Sequence, residues 1–111
     1  MPTEYNQAAD VSQSRKETLV LNASTRLRHS ANAAFETVAG EAILIHLQTG
    51  VYYSLNEIGT VFWEMLDGVK TIGDCAAQIA GEYDAPAEAI AADLLEISVD
   101  LVKEDLAETA G

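Results

Sequence analysis

The densest apolar run of the chain, Glu41–Leu47 (EAILIHL), has almost no polar interruption, and Ile43 and Ile45 within it are β-branched. That pattern predicts a strand buried on both faces, and so a central one. Gln48-Thr49-Gly50 fits a three-residue hairpin loop with Gly50 in the left-handed position. Such a loop sets a register of Leu47 opposite Val51, Ile45 opposite Tyr53 and Ile43 opposite Leu55. These six residues share one face, expected to be the core face, while Leu44, His46, Tyr52 and Ser54 share the other. Upstream, Ala34–Val38 is β-prone and is joined by a two-residue turn at Ala39-Gly40. The strand Val51–Leu55 is left with one neighbour, and an open edge either needs protection or has a use.

After Leu55 the period changes. Asn56 reads as an N-cap, with Glu57 placed to suit the helix dipole. Ile58, Val61, Phe62, Met65 and Leu66 then recur at helical spacing until Gly68. Thr71 and Asp74 resemble a capping box opening a second helix, whose apolar face is Ile72, Cys75, Ala76, Ile79 and Tyr83. Asp84 and Pro86 open a third helix, about residues 86–104. On it Ile90, Leu94, Ile97 and Leu101 form one stripe. Ala91, Leu95, Ser98 and Val102 form another, turned by roughly 100°. A small domain needs one stripe for its core, so the second has to be covered by the rest of the fold, a second subunit or a ligand. The expected class is α+β, a three-stranded antiparallel sheet followed by three helices, winged-helix-like. Residues 1–25 read as a flexible tail or arm, 26–106 as the domain and 107–111 as a C-terminal tail.

Charge narrows the function classes. With 18 acids against 6 bases, the net charge of -12 repels nucleic acid and anionic membrane. The third helix, the DNA reader of a winged helix, carries only Lys103 against Glu88, Asp93, Glu96, Asp100 and Glu104. One cysteine, Cys75, excludes an internal disulfide. The N-terminus lacks a signal-like apolar run, and no stretch reaches membrane-spanning length, which together suggest a cytoplasmic protein. Candidate chemistry is sparse. His29, His46 and Cys75 have none of the spacings of a zinc or haem site, the glycines form no phosphate loop, and no cofactor or metal is expected. His46 is expected to be structural or edge-facing, His29 solvated and Cys75 a core residue.

Three blocks together resemble the PqqD family, named after a pyrroloquinoline quinone biosynthesis protein. They are Gly40-Glu41-Ala42-Ile43-Leu44-Ile45, then Thr49-Gly50-Val51-Tyr52-Tyr53-Ser54-Leu55-Asn56-Glu57-Ile58-Gly59, then Phe62-Trp63-Glu64-Met65-Leu66. Thr71-Ile72, Glu82-Tyr83-Asp84 and Ala92-Asp93-Leu94-Leu95 also match. The likeness runs from about Arg26 to Leu106. Where the family usually carries a Gly-Leu-Ile or Gly-Leu-Val step after the last helix, this chain reads Glu104-Asp105-Leu106-Ala107.

The resemblance implies a non-catalytic peptide chaperone of three strands and three helices. Such proteins hold the leader segment of a ribosomally made precursor peptide, lasso peptides among them, as an added strand between the third strand and the third helix. They present the peptide to a modifying enzyme such as a radical SAM protein or a leader peptidase. Carried over, the docking edge is Val51, Tyr52, Tyr53, Ser54 and Leu55, and the helix wall is Leu95, Ser98 and Val102 with Ala91. The alternatives are a homodimer through the same edge and, further off, a degenerate winged-helix regulator.

Overall fold

The hairpin at the centre of the chain forms as the apolar run requires, but with a different loop. The structure, a computed structural model, describes residues 20–110. The elements in order are β1 (Arg26–His29), β2 (Ala33–Val38), β3 (Glu41–His46), β4 (Tyr52–Ser54), α1 (Glu57–Glu64), β5 (Asp67–Thr71), α2 (Ile72–Tyr83), α3 (Ala87–Lys103) and β6 (Ala107–Ala110). The expected three-stranded antiparallel sheet is present in the order β2-β3-β4, and three helices follow it. This α+β arrangement is compatible with a winged-helix-like layout.

A second antiparallel sheet, in the order β5-β1-β6, was not expected. Its strands come from the entry to the domain, where no strand was expected, from the link between the first two helices, and from residues read as a C-terminal tail. Each is short and polar, with little alternation. Arg28 on β1 pairs with Glu108 on β6 at 2.7 Å, and Gly68 in β5 takes φ +81° where the register with β1 shifts. The proposed tail before residue 20 lies outside the described residues.

Val38 and Glu41 close the β2–β3 hairpin across Ala39 (φ 55°) and Gly40 (φ 82°). Two positive φ angles in a two-residue loop make the type I′ turn, whose twist suits a hairpin. An L-alanine is strained there by about 1 kcal/mol. Ala39→Asn, which tolerates the left-handed region, is expected to raise Tm by about 3–8 °C in a calorimetric scan. An unchanged or lower Tm would contradict this account of the turn.

The β3–β4 register is Ile43 opposite Ser54, Leu44 opposite Tyr53 and Ile45 opposite Tyr52, one residue away from the expected pairing. The loop holds four residues rather than three, closed by Val51 O accepting from His46 N at 2.9 Å and by Gly50 N donating to His46 O at 2.8 Å. Gly50 keeps the left-handed conformation, at φ 77°. The inward face of β3 is consequently Ala42, Leu44 and His46, while Ile43 (38% exposed) and Leu47 (62%) point outward. Tyr53 and Leu55 still face inward on β4. With apolar residues on both faces of β3, hydrophobicity alone does not say which way the strand faces; in the observed register His46 is turned inward and both its ring nitrogens are hydrogen-bonded. Its Nδ1 accepts from the amides of Gln48 and Thr49 at 3.2 and 3.1 Å, so the ring proton sits on Nε2 and is donated to Asp105 Oδ2 at 3.0 Å.

Asp105 stands where the resemblance noted above would put the glycine of the Gly-Leu-Ile step. It follows the α3 C-cap at φ 57°, with Leu106 N donating to Leu101 O and Asp105 N to Val102 O, a Schellman ending with Leu106 and Leu101 buried together. Its carboxylate also accepts from Asn32 Nδ2 at 2.8 Å. These bonds, that from His46 foremost, hold the carboxyl below its usual range. Asp105 thus joins the end of α3 to the loop before β4, a tie that a glycine has no side chain to make.

The core lies between the two sheets and the helices, with Phe62 and Trp63 of α1 fully buried at its centre. His29 is not solvated as expected. It stacks on Trp63 with ring centroids 3.7 Å apart, and its Nε2 lies 2.8 Å from Trp63 O. Phe35 meets both rings edge-on. Thr60, buried in α1, accepts from Ala42 N at 2.8 Å and donates to Leu55 O at 3.4 Å, fixing α1 against both strands of the hairpin.

Candidate functional site

Strand β4 is the edge of its sheet, paired on one side only, with β3. Val51 O accepts from His46 N, and Leu55 N donates to Ala42 O. In an antiparallel pair the hydrogen-bonding direction alternates along the strand. Odd-numbered residues therefore bond to β3, and the main-chain groups of Tyr52 and Ser54 point to the open side. The edge expected from Val51, Tyr52, Tyr53, Ser54 and Leu55 is present, and its outward hydrogen-bonding capacity rests on two of them.

Local chemistry keeps this edge in place. The Asn56 side chain caps α1, accepting from Gly59 N at 2.8 Å, and so ends β4 sharply. Tyr53 reaches α3, where its hydroxyl donates to Asp100 Oδ2 at 3.0 Å. Burial, then the bond to Asp100 and the charges of Asp100, Glu104 and Glu96, push its phenol up to about 12. A raised acid pKa stabilises the fold below the unfolded value, near 10, and that contribution is lost as pH rises through about 12. Phenolate absorbance is therefore expected to show a step near pH 12 that Tyr53→Phe removes. A Tyr53 step near pH 10 would contradict the Tyr53–Asp100 geometry.

Beside Tyr53, the cleft between the start of α1 and α3 has a volume of about 290 Å³ and is lined by Asn56, Ile58, Asp93, Glu96 and Ile97. None of the expected wall residues lines it. Ser98 is 0% exposed, with its hydroxyl donated to Leu94 O at 2.6 Å, and Ala91, Leu95 and Val102 are half-buried against the core. The helix is rolled so that its core centre falls between the two stripes, on Ile90, Leu94, Ser98 and Leu101. At about 100° per residue, Asp93, Ile97, Asp100 and Glu104 then form one flank, and Ala91, Leu95 and Val102 the other. The Tyr53–Asp100 bond puts β4 beside the first flank. Asp93 and Glu96 line the cleft and Asp100 bonds Tyr53 beside it, while Ser98, small and able to bond its own helix, sits at the core centre of α3.

On the outer face of the sheet a second hollow, about 320 Å³, is lined by Ala34, Phe35, Glu36, Ile43, Ile45 and Tyr52, with Tyr52 69% exposed. No group of three His, Cys, Asp or Glu side chains among the described residues is arranged to hold a metal ion. Cys75 is buried, and burial pushes its thiol up, away from the reactive thiolate. No helix among the described residues is long and apolar enough to cross a membrane.

The fold is a small α+β domain with an open edge strand beside a helix. The family model for coenzyme PQQ synthesis protein D (PqqD) matches residues 41–107, from the start of β3 to the first residue of β6, and the chain belongs to this family. Among solved structures it is similar to TbiB1 in complex with the TbiA(beta) leader peptide, with a TM-score of 0.66 and 27% identity over 73% of this chain and 94% of that one. It shares its fold with lasso peptide synthetase B1 complexed with the leader peptide, with a TM-score of 0.64 and 19% identity over 75% of this chain and 98% of that one. A search of curated proteins gives no match.

Proposed function

We propose that this protein binds the leader segment of a ribosomally made precursor peptide as a fourth strand on β4. It presents the rest of that peptide to a modifying enzyme, such as a radical SAM protein or a leader peptidase, and performs no chemistry itself. It acts in the cytoplasm, where such a precursor is translated. The observation that carries this reading is the open edge of β4 beside the α3 flank, in a PqqD-family domain similar in structure to a protein solved with a leader peptide.

The energetics define what the peptide must supply. Tyr52 and Ser54 offer four outward main-chain groups, worth together about 2–6 kcal/mol at about 0.5–1.5 kcal/mol per bond. Association costs at least about 4 kcal/mol, so strand pairing alone binds weakly. Apolar side chains over Ile58 and Ile97 on one face, and over the Ile43–Ile45–Tyr52 surface on the other, add about 25 cal/mol per Å². The contact set proposed is therefore Val51, Tyr52, Tyr53, Ser54 and Leu55 with Ile58 and the Ile97 flank.

An amide-resolved NMR titration tests this, with peptides from short reading frames beside the gene. Shifts concentrated in Val51–Leu55 and around Ile97 are expected. No shifts with any such peptide, together with concentration-dependent broadening at the same edge, would instead indicate that β4 pairs with a second copy.

A further inference from the structure

The groove beside β4 carries an electrostatic demand that strand pairing does not explain. Asp93 and Glu96 line its cleft, Asp100 bonds Tyr53, and Glu104 lies near enough to act on the same phenol. Among the described residues none of these four carboxylates forms an ion pair. Among the described residues the bases other than Lys103 lie elsewhere. Arg28 pairs with Glu108 and Lys70 with Asp67, while Arg26 donates to Val69 O, all in the second sheet. Lys103, exposed on α3 beside Glu104, makes no ion pair either. Ile97 sits on the flank with Asp93, Asp100 and Glu104, Glu96 lines the cleft beside it, and Ile58 faces the same cleft.

We infer that the groove selects leader peptides that are basic on their helix-facing side, with two Lys or Arg residues four positions apart and an apolar residue midway between them. This rests on the strand-addition reading above and specifies its substrate class. Residues 93 to 104, the last of them the C-cap of α3, span about 16 Å at about 1.5 Å per residue. Alternate residues of an added strand, about 6.7 Å apart, face the helix in turn. One such side chain meets Ile97 and Ile58, and its neighbours on that face, about 13 Å apart, meet the carboxylates on either side. An acidic or neutral leader would leave those carboxylates partly desolvated without partners, so the groove also rejects the wrong sign.

The test is a displayed library of 13-residue peptides with β-prone residues at alternate positions and Lys, Glu, Leu and Ser randomised at the others. It is selected on the full chain, on Glu96→Gln/Asp100→Asn/Glu104→Gln, and on Ser54→Pro. Asparagine at position 100 keeps an acceptor for the Tyr53 hydroxyl. Lys is expected to be enriched over Glu roughly tenfold at two positions four apart, as for two solvent-screened ion pairs. Leu is expected midway. The Lys preference should fall to about twofold or less in the neutralised variant, and shrink in high salt as the charges are screened. Peptides retained with no preference for Lys over Glu, yet lost by Ser54→Pro, would overturn the charge inference and leave strand addition standing. Retention indifferent to Ser54→Pro, or no retention at all, would overturn strand addition and this inference with it.

Discussion

Ser54→Pro is expected to weaken leader binding at least about tenfold in a fluorescence-polarisation titration, while Ser54→Ala stays within about twofold of the wild type. The Ser54 amide lies on the open side of β4, because the bonds made by Val51 and Leu55 point the odd-numbered residues at β3. Proline there removes a donor that the fold does not use, and its ring keeps an incoming backbone beyond hydrogen-bond distance. Edge strands tolerate proline where the lost N–H faces solvent, so thermal stability should be nearly unchanged. Tyr53→Pro is the contrasting case. It breaks a bond of the β3–β4 ladder and is expected to lower Tm. Wild-type affinity in Ser54→Pro would mean that no strand adds at β4, whatever else the groove binds.

Trp63→Ala carries the largest expected loss of stability, about 3–5 kcal/mol. Small domains hold a margin of about 5–15 kcal/mol, so this variant loses a large part of it, with a Tm drop of upwards of roughly 12 °C. Trp63 is 0% exposed and is the largest fully buried side chain, and its removal also ends the His29 stack and the edge contact of Phe35. β1 and β2 both pack through it, so the loss reaches both sheets. Trp63→Phe is expected to cost much less. It keeps an aromatic face for His29 and removes an indole N–H that has no hydrogen-bond partner among the described residues. A Tm for Trp63→Ala within a few degrees of the wild type would show that the site collapses around the smaller side chain.

Much of the site could be read from residue order because its causes are local. Asn56 and Thr71 cap their helices with their own side chains, Ala39-Gly40 turns the first hairpin, and β4 has one partner. Other features depend on residues far apart in the chain. In the observed β3–β4 register His46 meets Asp105, 59 positions away, which bonds the imidazole and leaves its Nδ1 to cap the loop amides. The second sheet joins β1 to β6, with Arg28 and Glu108 separated by 80 positions, and neither strand has an apolar period of its own to reveal it.

The sequence by itself determined the class of fold, the order of the first hairpin and the three helices, the edge strand, and the family. These follow from periodicity, caps and turn residues, which act over a few neighbouring positions. Only the tertiary structure decided which face of β3 is buried, how α3 is rolled, and so which of its flanks lies beside the edge. For a strand apolar on both faces and a helix with two apolar stripes, the pattern alone does not say which face is buried. The observed packing brings His46 to Asp105 and Tyr53 to Asp100, contacts between residues far apart in the chain that no local pattern encodes.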